Sequence, residues 1–265
     1  MAYQARLAKW LTDRRKDFEL SIREFTWPLA MGSSLSDFEV TLLHEGNASV
    51  GRGTDLDPNL ALEKACAEAL ERLVCSEHGV SSIGIALHTN SIFARVNARL
   101  EFIERHVLGH HVESVAPATF SHKSQLRLLG DDSRCEHTLY RLKTCGAFST
   151  ALCVISYRSI RLIGAAADFN FSRAASRAEL EAARNLAAFV SAPELFRKAV
   201  SGDSNYKWSD EDYFYRKIAP ILTGQTLTSE LHMPAVKYRK LQLPKAQKFE
   251  DCPAVVVQAY EKSAV

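Results

Sequence analysis

Apolar and polar positions along this chain follow two periods, and each change of period marks an element. Residues 2–25 carry Leu7, Trp10, Leu11, Phe18, Ile22 and Phe25 between arginines and lysines. That imperfect stripe predicts one basic amphipathic helix docked on the domain. A loop follows through Pro28 and Gly32-Ser33-Ser34. Phe38–His44 is β-rich and predicts a strand, closed by a turn at Glu45-Gly46-Asn47. Ser49–Gly53 reads as a glycine-flanked loop. Asp57-Pro58 predicts a helix start, with the aspartate as cap and the proline in the first turn. This helix runs to about Cys75, with Gly79 beyond its end. Ile83–Leu87 predicts a short strand, and a second helix starts at Asn90 or Ser91 and ends before Gly109. Val112–Ala116 is expected as a strand, and His122–Leu129 is ambiguous. Thr138–Lys143, Ser149–Tyr157 and Ile160–Ala166 are expected strands, the last two joined by a tight hairpin at Arg158-Ser159. Ser172–Val190 predicts a third long helix. Pro193–Val200 and Trp208–Leu222 read as helical, around a polar break at Ser201–Asn205, and Ala254–Ala259 as a final strand.

The strand–loop–helix pattern is an internal repeat. Counted from Gly51 and from Gly84, alanine falls at +10 (Ala61, Ala94) and +14 (Ala65, Ala98). Glutamate falls at +17 (Glu68, Glu101) and +20 (Glu71, Glu104), and arginine at +21 (Arg72, Arg105). A partial third copy starts at Gly164, with Ala174, Ala178 and Glu181 in register, then Arg184 and Asn185 in place of the last pair. Repeats of one supersecondary unit predict one α/β domain, an antiparallel or mixed sheet with the repeat helices packed on it.

On the first helix Leu62, Cys66, Ala69 and Leu73 line one face, while Ala61, Ala65, Glu68 and Arg72 line another, with Glu71 beside Glu68. The second helix does the same with Val96, Leu100, Ile103 and Val107 against Ala94, Ala98, Glu101 and Arg105. Paired carboxylates three residues apart are usually a solvated face. Here they sit among alanines, which favour close approach of another helix or sheet, and they recur. If the helices face each other, Glu68, Glu71, Glu101 and Glu104 converge, and four carboxylates together need cations among them. Hard oxygen ligands suit Mg²⁺, which commonly brings a phosphate-bearing substrate. Arg72, Arg105 and Arg52 are candidates to hold phosphate oxygens. Ser49 and the backbone amides of Gly51–Gly53 form a candidate phosphate or ribose cradle.

Composition adds bounds. The chain has 265 residues, and 46% hydrophobic with 24% charged residues is ordinary for a globular protein with a sizeable core. A net charge of +2 argues for neither nucleic acid nor an anionic membrane as partner. The first residues lack an apolar signal region and no run of 18 apolar residues occurs. Six scattered cysteines form no CxxC pair, so reduced thiols in the cytoplasm are expected. His106, His110 and His111 cluster near a helix end, where interaction with the C-terminal carbonyls is the simpler role. No Walker A loop, kinase signature or dinucleotide fingerprint is present.

These motifs, in this order, resemble the YcaO-like family. Its GKG loop, its SAxxExxER helix and its second GxAxxxxxxEAxxxAxxExxER copy correspond to Gly51-Arg52-Gly53, to Lys64–Arg72 and to Gly84–Arg105. The likeness covers about residues 38–190 of a single domain, with residues 1–35 as an N-terminal extension and 191–265 as C-terminal elements. It implies a YcaO-like fold with ATP and Mg²⁺ as cofactors. It implies metal ligation by Glu68, Glu71, Glu101 and Glu104, and ATP contacts from Ser49, Arg52, Glu68, Glu71, Asn90, Glu101, Glu104 and Arg105. Family members phosphorylate the oxyanion formed when a nucleophile adds to a peptide amide. A side-chain nucleophile gives an azoline and external sulfide gives a thioamide, with no protein nucleophile required. The implied partners are a precursor peptide and a protein that recognises the peptide or delivers sulfur, and a homodimer is compatible with it. The chain departs from the pattern at Arg52 for lysine, Lys64 for serine, Phe93 for an acidic residue and His106 for aspartate. Residues Ala259–Val265 lack the PxPxP ending of azoline-forming members. A catalytically lapsed subunit that binds a peptide or partner therefore stands as the alternative.

Overall fold

Three times along the chain an antiparallel strand hands over to an alanine-faced helix. The structure, a computed structural model, describes residues 6–28, 34–114, 119–127, 134–142, 146–157, 160–191 and 234–261. Its contacts group into two compact units, Met1–Phe102 with Pro234–Val265, and Ile103–Met233.

In the first unit helix α1 (Arg6–Asp13) is followed by strand β1 (Ser21–Pro28). The single helix expected over residues 2–25 is thus two elements. Leu7, Ala8, Trp10 and Leu11 bury one face of α1. The polar run that follows carries no apolar face, and Phe18 and Leu20 then enter the core as the chain becomes extended. Strands β2 (Ser34–His44) and β3 (Asn47–Asp55) complete an antiparallel sheet in the order β1-β2-β3. Gly51 and Gly53 lie inside β3, so the expected loop at Ser49–Gly53 is a strand. Helix α2 (Pro58–His78) starts on Asp57, whose side chain accepts from the Asn59 amide at 2.9 Å. It ends at Gly79, which adopts the left-handed conformation at φ 59°. Strand β4 (Ile85–His88) leads to helix α3 (Ser91–Ser114). The helix passes through Gly109, where an interior glycine costs only about 1 kcal/mol, and takes in residues 112–114, expected as strand. Strands β9 (Val236–Leu241) and β10 (Val255–Glu261) join β4 in the order β4-β10-β9. β9 was not foreseen, because its exposed run Lys237-Tyr238-Arg239-Lys240 has no apolar alternation.

The second unit holds β5 (Thr119–Arg127), β6 (Arg134–Arg141), β7 (Ser149–Tyr157) and β8 (Ile160–Asp168) in that spatial order, followed by α4 (Phe171–Ser191). Every described ladder is antiparallel. The expected hairpin residues Arg158 and Ser159 and the elements expected over 193–222 lie outside the described residues.

The alanines of the repeat are wholly buried: Ala61, Ala65, Ala94, Ala98, Ala174 and Ala178 are each 0% exposed. Their partner in the first and third copies is the strand of the same copy. A Cβ on Gly51 would stand 2.2 Å from the Ala69 amide nitrogen and 2.3 Å from the Ala65 carbonyl oxygen. A Cβ on Gly164 would stand 2.2 Å from the Ala178 oxygen and 2.4 Å from the Ala182 nitrogen. Glycine on the strand and alanine on the helix therefore let two backbones touch. Of the two partners expected for the alanine stripe, a helix or a sheet, it is the sheet that approaches in these copies. The apolar stripe of α2 (Cys66, Leu70, Leu73, Val74) faces the main core with Phe38, Val40, Leu42, Leu7 and Leu11.

Candidate functional site

The first turn of each repeat helix is set by the same hydrogen-bond relay. The residue at +4 accepts from the amide at +6. The side chain at +6 then accepts from the amide at +8. The first copy uses Asp55, Asp57 and Asn59, at 3.1 and 2.9 Å. The second uses His88 Nδ1, Asn90 and Ile92, at 2.9 and 2.8 Å. The third uses Asp168, Asn170 and Ser172, at 3.2 and 2.8 Å. The relay is legible as an aspartate, histidine or asparagine at every second position before each helix, of which Asp57 is expected as a cap and Asn90 as a helix start.

The +17 glutamates in the first and third copies share a task. β3 is the free edge of its sheet, and the Arg52 amide on that edge donates to Glu68 Oε2 at 2.8 Å. β8 is the free edge of the second unit's sheet, and the Ala165 amide donates to Glu181 Oε2 at 2.9 Å. Both bonds link the residue after the repeat glycine to the helix lying across it. An unpaired edge amide under a helix must find an acceptor, and the carboxylate supplies it. Glu71 does the same for a different strand: the Leu87 amide on the free edge of β4 donates to its Oε1 at 2.5 Å. Consecutive glutamates of α2 thus hold the edges of two sheets.

This geometry gives the two carboxyl groups different surroundings. Glu68 gives its second oxygen to Arg72 Nη2 at 2.6 Å. Glu71 lies deeper; burial, with a further push from Glu68, raises its carboxyl to about 8 against the pull of the Leu87 amide and Arg72. Burial, then Glu71 and Glu101, push the Cys75 thiol up to about 11. Glu104 and Arg105 lie one turn further along α3, in the second unit, 3.9 Å from each other.

The other predicted residues are engaged inside the first unit. Ser49 is buried and donates to the Ala69 carbonyl at 2.5 Å, pinning β3 to α2. In the β2–β3 ladder, pairing residues alternate with outward-facing ones. Because the Arg52 amide faces outward, Gly51 and Gly53, opposite Val40 and Phe38, are the residues that pair with β2. The Arg52 side chain lies on the sheet face opposite α2 and pairs with Asp37, a wholly buried carboxylate that also accepts from Thr54 Oγ1 at 3.0 Å. Asp37 carried no sequence signal beyond an acid inside an apolar strand. Lys64 turns to Asp55 at 2.6 Å and the Thr54 carbonyl at 3.2 Å, so its charge is answered locally. Asn90 caps α3. Phe93, in the first turn of α3, is 56% exposed beside the His88 ring, with centroids 5.2 Å apart. The side chains of His110 and His111 lie outside the described residues.

No helix among the described residues is long and apolar enough to cross a membrane. No protein-family model matches the sequence, and no curated relative matches it. Solved structures do resemble it. One is YcaO from Methanopyrus kandleri bound with AMPPCP and Mg²⁺, with a TM-score of 0.64 at 12% identity over 96% of this chain and 89% of that one. Another is a heterocyclase in complex with substrate and cofactor, with a TM-score of 0.60 at 11% identity over 96% of this chain and 51% of that one. Strand edges capped by helical glutamates, carried on a glycine–alanine repeat, are thus set within an α/β architecture that is the YcaO-like fold.

Proposed function

We propose that this chain is an ATP- and Mg²⁺-dependent enzyme that activates peptide backbone amides during maturation of a ribosomally made peptide, forming azoline-type or thioamide-type products. The observation that carries the reading is the pair Glu68 and Glu71. They span the edges of β3 and β4, one helix face bringing both carboxylates to two sheets. The donor set fits a hard cation. A carboxyl forced toward its neutral form by burial regains its charge when a cation approaches, and Glu71 keeps one oxygen outside its bond to Leu87. The Mg²⁺ would be held by Glu71 and Glu101, with Glu68 at the rim. When bound it supplies charge neutralisation at phosphate oxygens. Ser49, Arg52 and Asn90 contribute by fixing the strand and helix ends that frame the carboxylates. The part of Glu104 and Arg105 rests on the family resemblance alone. The neighbours in solved structures hold a nucleotide analogue with Mg²⁺, and a substrate with a cofactor, which supports the same ligand classes here. A precursor peptide and a protein that presents it or delivers sulfur are the partners this activity requires.

The second reading, a catalytically lapsed subunit that binds a peptide or partner, is favoured by one observation. Glu181 caps its strand edge as Glu68 does, so the recurrent +17 glutamate is accounted for by folding alone. Calorimetric titration with Mg-ATP separates the two. The enzyme reading expects saturable heat with wild type, lost in Glu101→Gln. No heat with wild type leaves the scaffold reading standing, and heat unchanged in Glu101→Gln removes the site assignment.

A further inference from the structure

At the C-terminal end of α2, beyond the amide-capping glutamates, lies a second group of ligating side chains. His44 closes β2, Glu45 begins the turn to β3, and Glu77 sits in the last turn of α2. One ligand atom from each lies within 4.8 Å of the other two. Glu45 and Glu77 are exposed, whereas His44 is 3% exposed. Its Nε2 stands 3.9 Å from Glu45 Oε1, beyond hydrogen-bond reach, and its Nδ1 is enclosed with no partner. A buried imidazole with no hydrogen bond is unusual, since burial removes its water and nothing here replaces it. Phe249 packs against the ring at a centroid distance of 5.2 Å, nearly perpendicular, and holds it in place.

We propose that His44, Glu45 and Glu77 form a binding site for a divalent first-row transition metal, Zn²⁺ or Mn²⁺ in class, separate from the proposed nucleotide site. The His44 ring supplies the fixed ligand through Nε2, and the two exposed carboxylates close on the ion. Tetrahedral bonds of about 2.0–2.1 Å to nitrogen and oxygen require ligand atoms roughly 3.4 Å apart, and the free rotamers of Glu45 and Glu77 cover the difference from the observed spread. One imidazole with two carboxylates selects these metals over Mg²⁺, which prefers an all-oxygen octahedron. The ion would tie the β2–β3 turn to the end of α2. Glu77 lies six residues beyond Glu71, about 9 Å along the helix axis, and the two sites have no ligand in common.

The test uses the full chain without nucleotide, in buffer containing Mg²⁺. Co²⁺ is titrated and followed by its visible bands, and Zn²⁺ by calorimetry and by thermal unfolding. Wild type is expected to bind one equivalent outside the thiols, with a raised Tm. Glu45→Gln and Glu77→Gln, both at exposed positions, are expected to weaken binding by at least about 10-fold each and to remove the rise in Tm. Absence of binding in wild type overturns the site, as does binding that survives unchanged in the Glu45→Gln/Glu77→Gln double variant. An intense thiolate-to-metal band would place the ion on cysteine and overturn it equally. Because no nucleotide is present, failure here leaves the Mg-ATP reading untouched, and failure of Mg-ATP binding leaves this site standing.

Discussion

Replacing Gly51 with alanine separates two explanations of the repeat glycine. In a phosphate loop, a glycine makes room for a ligand, and a methyl group there costs binding but little stability. In this structure the space beside Gly51 is filled by helix α2. The added Cβ would stand 2.2 Å from the Ala69 nitrogen and 2.3 Å from the Ala65 oxygen, where ordinary contact begins at 3.4 Å. Both atoms are helix backbone and cannot rotate away, so α2 must retreat by more than 1 Å. A gap of that size forfeits a quarter to a half of each contact along the seam. The seam carries Ala61, Ala65 and Ala69, all fully buried. Overpacking of a close-packed interior typically costs 1–3 kcal/mol, and a rigid backbone clash belongs at or above the top of that range. At about 3 kcal/mol the midpoint should fall by roughly 6–12 °C for a chain of this size. Gly46 is the matched control. It has φ 78° with nothing within 4 Å of a Cβ, so Gly46→Ala pays only the left-handed backbone penalty of about 1–2 kcal/mol. The assay is thermal and urea unfolding of both variants, beside Mg-nucleotide titration. A Gly51→Ala protein as stable as wild type that has lost nucleotide binding would refute the packing account.

Glu71 sets a pH dependence. Folded, its carboxyl keeps a proton to about pH 8, against an ordinary value of 4.5, so the folded state binds more protons across that window and stability falls as pH rises through it. Glu71→Gln should flatten the fall in Tm between pH 5 and 8, and an unchanged profile would remove the buried-carboxyl account. Glu63 accepts from the Leu7 and Ala8 amides at 3.2 and 2.8 Å and so caps α1 from the side of α2. Glu63→Ala should cost about 1–2 kcal/mol and speed tryptic cleavage after Lys9, and equal cleavage rates would show that apolar packing alone holds the helix. Arg52→Ala removes the cation paired with the wholly buried Asp37, which keeps its bond from Thr54 Oγ1. Breaking a buried pair costs about 3–5 kcal/mol, so this variant should unfold at lower urea, whereas a solvent-facing phosphate ligand would leave the urea midpoint where it was.

The repeat, the three long helices and most strands were legible because each depends on near neighbours in sequence. Asp57-Pro58 starts α2 through contacts within three residues. The alternation of FEVTLLH needs only one buried face, and glycine–alanine offsets repeat because the same strand and helix meet with the same spacing. Glu68 and Glu71 stand out in the sequence by their recurring offsets. Their present bonds depend on what lies across from them. Glu68 caps β3 and Glu71 caps β4 because α2 crosses the edges of two different sheets, and strand order is a property of the assembled fold. The same holds for Arg52, whose partner Asp37 is set by a diagonal across a ladder, and for β9, a charged strand that exists only because β10 offers it an edge. Residues that act through their own helix or strand can be read along the chain. Residues that act through a distant backbone amide or a buried counter-charge acquire their roles only when the sheets form, since burial and strand edges do not exist before then.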